Sequence, residues 1–199
     1  MRKLNEIFYS LQGEGAHTGM PCVFVRFSGC NLRCPFCDTD HAHGIPMNDA
    51  DIVAYINMYP ADWIVLTGGE PSLWIDDDFI HTLHVATGKK IAIETNGTRQ
   101  VPDEIDWITL SPKYGMAPDA PLIPGVQRAD EIKVVDTGQD LEQYFALPQC
   151  RSNTLMYLQP CWVPDARQCA ENTARTVARV KDDPRWRLSV QAHRYLSIP

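Results

Sequence analysis

The stretch "CVFVRFSGCNLRCPFCDT", residues 22–39, begins as an alternating strand and ends as a loop holding three cysteines. Val23, Val25 and Phe27 fall on one face, with Phe24 and Arg26 on the other, which is the period of two that a pleated strand requires. Cys30, Cys34 and Cys37 follow at C-x3-C-x2-C spacing, in a loop that Asn31, Arg33 and Asp38 make too polar for inert core. A structural zinc site wants four ligands, commonly from two separated cysteine pairs. Three thiols on one short loop can instead wrap three corners of a cubane iron–sulfur cluster, leaving one iron open. A zinc knuckle completed by His41 or His43 is the competing reading of the loop alone.

Working outward, short apolar runs alternate with helix-like segments, a pattern of β/α units. Asn48 or Asp49 caps a helix whose stripe is Ile52, Val53 and Ile56 and which Pro60 ends. "WIVLT" (63–67) is a continuous apolar run, as a strand covered on both faces should be. "DDDFIHTLHVATG" (76–88) predicts a helix with acids in its first turn and Gly88 just past its end. "KIAIET", "DWITLS", "DEIKVV", "TLMYLQP" and finally "WRLSVQ" predict further strands, with helices over 139–147 and 166–180. Right-handed crossovers between such strands build a parallel β/α barrel. A full eight-unit barrel takes about 250 residues, so 199 residues predict an incomplete one, as a single domain over 1–199. "TGGEP", "ETNG", "SPK", "QP" and the cysteine loop each follow an apolar strand, which places them on one rim, where such folds carry their sites.

Composition bounds the function. An apolar content of 44% supports a proper core, and a net charge of -7 with scattered basic residues argues against a nucleic-acid face. The expected substrate is a small molecule. No run approaches the roughly 20 apolar residues of a membrane span, and "MRKLNEIFYS" has no signal-peptide pattern, so a cytoplasmic location is expected. Seven cysteines, an odd number, fit metal or thiolate chemistry better than a disulfide framework.

The cysteine motif, with Phe36 just before its third cysteine, resembles the signature of radical S-adenosylmethionine enzymes, and "TGGEP" resembles their glycine-rich methionine-binding motif. The resemblance implies a 4Fe-4S cluster on Cys30, Cys34 and Cys37 whose open iron is chelated by the amino and carboxylate groups of S-adenosylmethionine. Gly68 and Gly69 would let the backbone approach the methionine and Glu70 would accept from its ammonium. Glu94, Thr95 and Asn96 fit a strand end and turn as well as a ribose site.

A more specific resemblance spans nearly the whole chain. "EIFYSLQGEG", "VFVRFSGCNLRCPFCDT", "TGGEP", "IETNG", "SPK", "LQP" and "QAHRYLSIP" together resemble the 7-carboxy-7-deazaguanine synthase family, with "LQGEG" the discriminating piece. That family converts 6-carboxy-5,6,7,8-tetrahydropterin to 7-carboxy-7-deazaguanine with loss of ammonia, on the way to queuosine and related 7-deazapurines. The implied chemistry uses S-adenosylmethionine catalytically, through a 5'-deoxyadenosyl radical that takes hydrogen from C6.

Carried over by position, Leu11, Gln12 and Gly13 line the pterin, Glu14 supports that wall, and Arg26 and His193 share the substrate carboxylate. Thr67 is a substrate contact and Pro199 brings the chain terminus to the pterin. Thr39 matches the family's magnesium ligand. Phe36, Cys37 and Asp38, then Gly69, then Ser111, Pro112 and Lys113, then Gln159, Pro160, Cys161 and Trp162 match its cofactor-binding segments. The family also implies a homodimer and an electron donor such as flavodoxin. In "DTDHAHG" (38–44) this sequence has histidines where many members have aromatics and a longer insert.

Other readings stay open at this level. Arg26 fits a surface cation, His81 and His84 a helix surface, and Cys22 a small packed residue. Trp63, Trp107 and Trp186 fit strand-edge packing. An activating enzyme using the same cofactor on a protein glycine, or a zinc-binding interaction module, are the alternative functions.

Overall fold

Period-two patterning becomes one sheet of nine strands in the computed structural model, which describes residues 1–39 and 41–199. The strands are β1 (Arg2–Leu11), β2 (Pro21–Phe27), β3 (Ile45–Met47), β4 (Trp63–Gly68), β5 (Lys90–Thr95), β6 (Trp107–Leu110), β7 (Glu131–Asp136), β8 (Leu155–Pro160) and β9 (Arg187–Leu188). Their spatial order is β3-β1-β2-β4-β5-β6-β7-β8-β9. From β2 to β9 every neighbouring pair is parallel, whereas β1 runs antiparallel to both β2 and β3. The result is the expected incomplete parallel barrel, carrying an antiparallel edge of two strands that the β/α pattern does not announce.

Helices α1 (Asp49–Ile56), α2 (Asp77–Thr87), α3 (Glu142–Phe145), α4 (Ala166–Asp182) and α5 (Ala192–Leu196) complete the chain. Their starts follow from local chemistry. Asn48 accepts from the Asp51 amide, Asp76 from Phe79 and Asp165 from Gln168, each satisfying an amide that the helix itself cannot. Arg2 then ties two of these ends together. Its Nε lies 2.9 Å from Asp49 and its Nη2 3.1 Å from Asp76, while the guanidinium stacks 3.8 Å above the Phe79 ring.

Alternation divides the side chains between two environments. Val23, Val25 and Phe27 of β2, Ile64 and Leu66 of β4, and Ile91 and Ile93 of β5 pack outward against Ile52 and Ile56 of α1 and Phe79, Ile80 and Leu83 of α2. Each such buried side chain contributes about 1.5–3 kcal/mol relative to exposure. The opposite face gives a second cluster, Cys22, Phe24, Val65 and Ala92, with Phe8, Trp63 and Trp107 against it. This is the floor inside the curved sheet, and His17 sits between Trp63 and Trp107 at 4.7 Å from each ring. A register shift between Leu4 and Glu6 changes the phase of β1, so that Leu4 and Ile7 both reach the outer core while Phe8 stacks inside on Phe24 at 4.9 Å.

Three expectations are corrected. The helix predicted over 139–147 is only Glu142–Phe145: Asp140 accepts from the Glu142 amide in a turn just before it and Pro148 follows it closely. "WRLSVQ" pairs only at Arg187–Leu188, since Ser189 turns its hydroxyl to Gln159 and its amide to Leu158. His84 is not a free surface residue: its ring nitrogens meet the carbonyls of Lys89 and Glu104.

Asp136, fully buried at the end of β7, anchors α4 to the sheet. Its carboxylate accepts from Arg179 at 2.6 Å, Thr176 at 2.9 Å and the Gly138 amide at 2.9 Å. Asp136→Ala should lower the unfolding free energy by about 2–4 kcal/mol, since it strands donors from a charged, buried acceptor. A urea titration measures this; an unchanged midpoint would remove Asp136 from the anchor.

Candidate active site

All the parallel strands present their C-terminal ends to one cavity of about 510 Å³. The cysteine loop forms one side of it. Cys30, Cys34 and Cys37 are all free and all line the cavity, with Cys37 exposed and the other two half-buried. The Leu32 amide points to Cys30 Sγ at 3.4 Å and the Asn96 side chain at 3.8 Å, the kind of weak donor that tunes a ligating sulfur. Three unpaired thiols on one wall, with donors already aimed at one of them, fit a cluster with an open iron. Among the described residues no group of three or more His, Cys, Asp and Glu side chains is gathered as if around a single metal ion. His41 does line the cavity, and the Gly29 amide donates to its carbonyl.

Beside this loop, "TGGEP" docks through its backbone. Gly69 N donates to Phe27 O at 3.0 Å and Glu70 N to Gly29 O at 2.9 Å. A Cβ on Gly69 would sit 2.0 Å from Gly29 O, so only glycine permits the approach. Glu70 differs from expectation. It is completely buried behind the rim, does not line the cavity, and spends its oxygens on Ser72 N, Thr95 Oγ1 and Asn96 N. Its place is to hold the loop, not to meet an ammonium. Pro112 is likewise buried behind the rim, although Ser111 and Lys113 on either side line it. The Lys113 ammonium donates to the Ser111 carbonyl at 2.7 Å, and burial lowers its pKa from the ordinary lysine value.

The far wall is polar. Leu11, Gln12, Gly13 and Glu14 leave β1 and line it, as do Arg26 from β2 and Thr67 from β4. Gly13 is glycine because His193 Nδ1 would lie 2.3 Å from any Cβ there, and its carbonyl accepts from Ala192 N at the start of α5. Arg26 gives its Nε to Glu6 at 2.8 Å and rests over the Phe8 ring. Burial lowers the His193 pKa and so favours the neutral ring, against the opposing pull of Glu14. Pro199 lines the same wall, its carbonyl accepting from Ser10 at 2.9 Å.

Phe36, Asp38, Thr39, Gln159, Pro160, Cys161 and Trp162 also line the cavity. Arg194 pairs with Asp38 and stacks 3.9 Å above Trp162, closing one side. Sequence reasoning missed Lys133, Glu6, Gln191 and Arg194, all of which line the cavity. The sequence hints at Lys133, a lysine between Ile132 and Val134, without disclosing which face of the strand it takes.

Similarity to known proteins agrees with this geometry. Residues 24–116 match the family model of the Radical SAM superfamily. The chain is 54% identical to the 7-carboxy-7-deazaguanine synthase of Bacteroides thetaiotaomicron, over 100% of this chain and 99% of that one. It is 42% identical to the synthase of Burkholderia multivorans, over 98% of each. The solved structure of QueE from Escherichia coli superposes with a TM-score of 0.74 at 27% identity, covering 96% of this chain and 94% of that one. No helix among the described residues is long and apolar enough to cross a membrane.

The thiols give a direct check on the arrangement. Cys22 is fully buried and its pKa is pushed by that burial up to about 12, so at pH 8 it stays a protonated, covered thiol. Burial also pushes Cys30 and Cys34 up. Alkylation of metal-free protein with iodoacetamide should therefore label Cys37 first, Cys30 and Cys34 more slowly, and Cys22 only after unfolding. Peptide mass mapping reads the order, and early labelling of Cys22 would contradict the packing of β2.

Proposed function

Since the chain belongs to the 7-carboxy-7-deazaguanine synthase family, within the radical S-adenosylmethionine enzymes, we propose the following division of labour for its cavity. The substrate is 6-carboxy-5,6,7,8-tetrahydropterin and the products are 7-carboxy-7-deazaguanine and ammonia. The observation that carries this reading is that one cavity unites the cysteine loop and the "LQGEG" wall, cofactor side facing substrate side.

Cys30, Cys34 and Cys37 hold the 4Fe-4S cluster. When bound, cluster and S-adenosylmethionine would supply the radical chemistry that takes hydrogen from C6 of the pterin. Phe36, Asp38, Gly69, Ser111, Lys113 and the segment Gln159–Trp162 cradle the cofactor. Glu70 acts one step back, holding Gly69 against the cysteine loop.

On the substrate side, a pterin edge alternates donors and acceptors, which Gln12, Glu14 and the backbone of Leu11 and Gly13 can match. Thr67 and Pro199 complete that pocket. Arg26, steadied by Glu6 and Phe8, offers its planar fork to the substrate carboxylate, with neutral His193 alongside. Thr39 beside the cluster loop offers an oxygen to Mg²⁺, which is hard and keeps water and substrate oxygens as its other ligands. The floor of Phe24, Val65, Trp63 and Trp107 keeps bulk water out from below. We further propose a cytoplasmic homodimer folded as one domain over 1–199 and reduced by an electron donor such as flavodoxin.

Reduced, cluster-loaded protein given S-adenosylmethionine, Mg²⁺ and the carboxypterin should yield a product with the mass of 7-carboxy-7-deazaguanine; cofactor cleavage without that product would exclude the reading. Arg26→Ala should lose one charge-assisted contact of about 1.5–3 kcal/mol, raising KM roughly 10- to 100-fold. An unchanged KM removes Arg26 from the carboxylate.

A further inference from the structure

The wall beside the proposed pterin site contains a lysine for which that reading gives no task. Lys133 lies mid-strand on β7, its side chain only 7% exposed, and points inward to line the cavity. It pairs with Glu14 and stands 3.3 Å from Glu94 Oε1. Those two carboxylates arrive from different parts of the chain, one after β1 and one on β5. Each is fixed from its other side as well: Glu14 Oε1 accepts from Gln191 at 2.9 Å and Gln159 at 3.2 Å, while Glu94 accepts from Thr67 at 2.8 Å and Gln12 at 3.2 Å.

Resting on the substrate assignment above, we propose that Lys133 is a positioning residue for pterin binding: its ammonium, paired with Glu14 and Glu94, holds the two carboxylates side by side as acceptors for the N–H donors of the substrate. Two carboxylates sharing one desolvated wall repel, and without a cation between them one takes up a proton. A protonated carboxyl has lost acceptor capacity and presents a donor where the pterin needs an acceptor.

Among the described residues the other charged groups near this pair are Arg26, whose Nε goes to Glu6 at 2.8 Å, and the following. Glu131, also on β7, adds a third acid, but it is turned to Thr109 at 3.0 Å and the Ala16 amide at 2.8 Å, and burial pushes it above the ordinary carboxylate value. Lys113 after β6 acts on Lys133 as a like charge, and His193 on α5 is lowered by burial and so is no strong cation. Asp38 acts on His193 from the cysteine loop. Among the described residues Lys133 is therefore the cation paired with both Glu14 and Glu94. Burial would lower its own pKa, yet Glu14, Glu94 and Glu131 hold it above the ordinary lysine value. Burial would raise Glu14, yet the ammonium brings it below its ordinary value.

The test compares wild type, Lys133→Met and Lys133→Arg as cluster-loaded enzymes, with iron content and a urea melt recorded for each. Wild type should show KM independent of ionisation in the wall from pH 6 to 8. Lys133→Met should raise KM roughly 10- to 100-fold at pH 6.5 with kcat changed less than about threefold. That deficit should shrink as pH rises, because deprotonation restores the second acceptor. Calorimetric titration of the metal-free protein with oxidised 6-carboxypterin should give the same pH-dependent ratio of affinities without any turnover. Lys133→Arg keeps the charge and should keep the flat profile, so it serves should Lys133→Met not fold. Parallel pH profiles of Lys133→Met and wild type, or a pH-dependent profile in a folded Lys133→Arg, overturn the proposal. Absence of deazaguanine from wild type would instead overturn the substrate assignment.

Discussion

Two backbone hydrogen bonds, Gly69 to Phe27 and Glu70 to Gly29, decide how everything else at the rim is arranged. They carry the parallel ladder between β2 and β4 beyond the sheet and into the two loops that follow, so the cysteine loop and "TGGEP" form one rigid unit. The side chain of Glu70 extends this unit sideways to Thr95 and Asn96 at the end of β5, and Asn96 reaches back to Asn31 and the sulfur of Cys30. A buried carboxylate satisfied by three donors is costly to disturb, because each donor would be left unpaired away from water. Placement of a cluster against its cofactor thus rests on main-chain geometry, which side-chain rotamers cannot blur.

Strand parity does the rest of the positioning. One face of each parallel strand is spent on the helices, so every polar group aimed inward must find partners among inward residues of neighbouring strands. Register supplies them. Thr67 of β4 donates to Glu94 of β5, and Thr109 of β6 donates to Glu131 of β7. The floor takes the same parity near the strand starts, where Trp63, Trp107 and His17 fill the space. Chemistry at one end and packing at the other are consequences of a single alternation.

That alternation explains what the sequence discloses. The cysteine loop, "TGGEP" and the strand ends were legible because their chemistry is local, within a few residues of a recognisable strand. Lys133 and Glu6 were not, since their meaning depends on which face of the strand is inward, and a bulge between Leu4 and Glu6 changes that phase within β1. Glu70 misled for the opposite reason: it is adjacent in sequence to the glycines that line the cavity, but one residue further along a twisted rim it faces the core. The elements α3 and β9 are shorter than propensity alone suggests because side-chain hydrogen bonds next to them turn the backbone away.

The segment 189–199 shows how distant pieces are drawn together without a hydrophobic core of their own. Helix α5 has no buried residue. It is held instead by Ala192 N on Gly13 O, by Gln191 on Glu14, by Arg194 on Asp38 and Trp162, and by Ser10 on the Pro199 carbonyl. Its partners belong to the substrate wall on one side and to the cysteine loop on the other. Polar contacts of this kind each contribute only about 0.5–1.5 kcal/mol net, somewhat more where charged, so the segment is ordered by their sum and by the order of the walls it bridges. These contacts set His193 beside Gly13. The Gly13–Glu14 wall and the cysteine loop are thus joined through these last residues as well as through the rim.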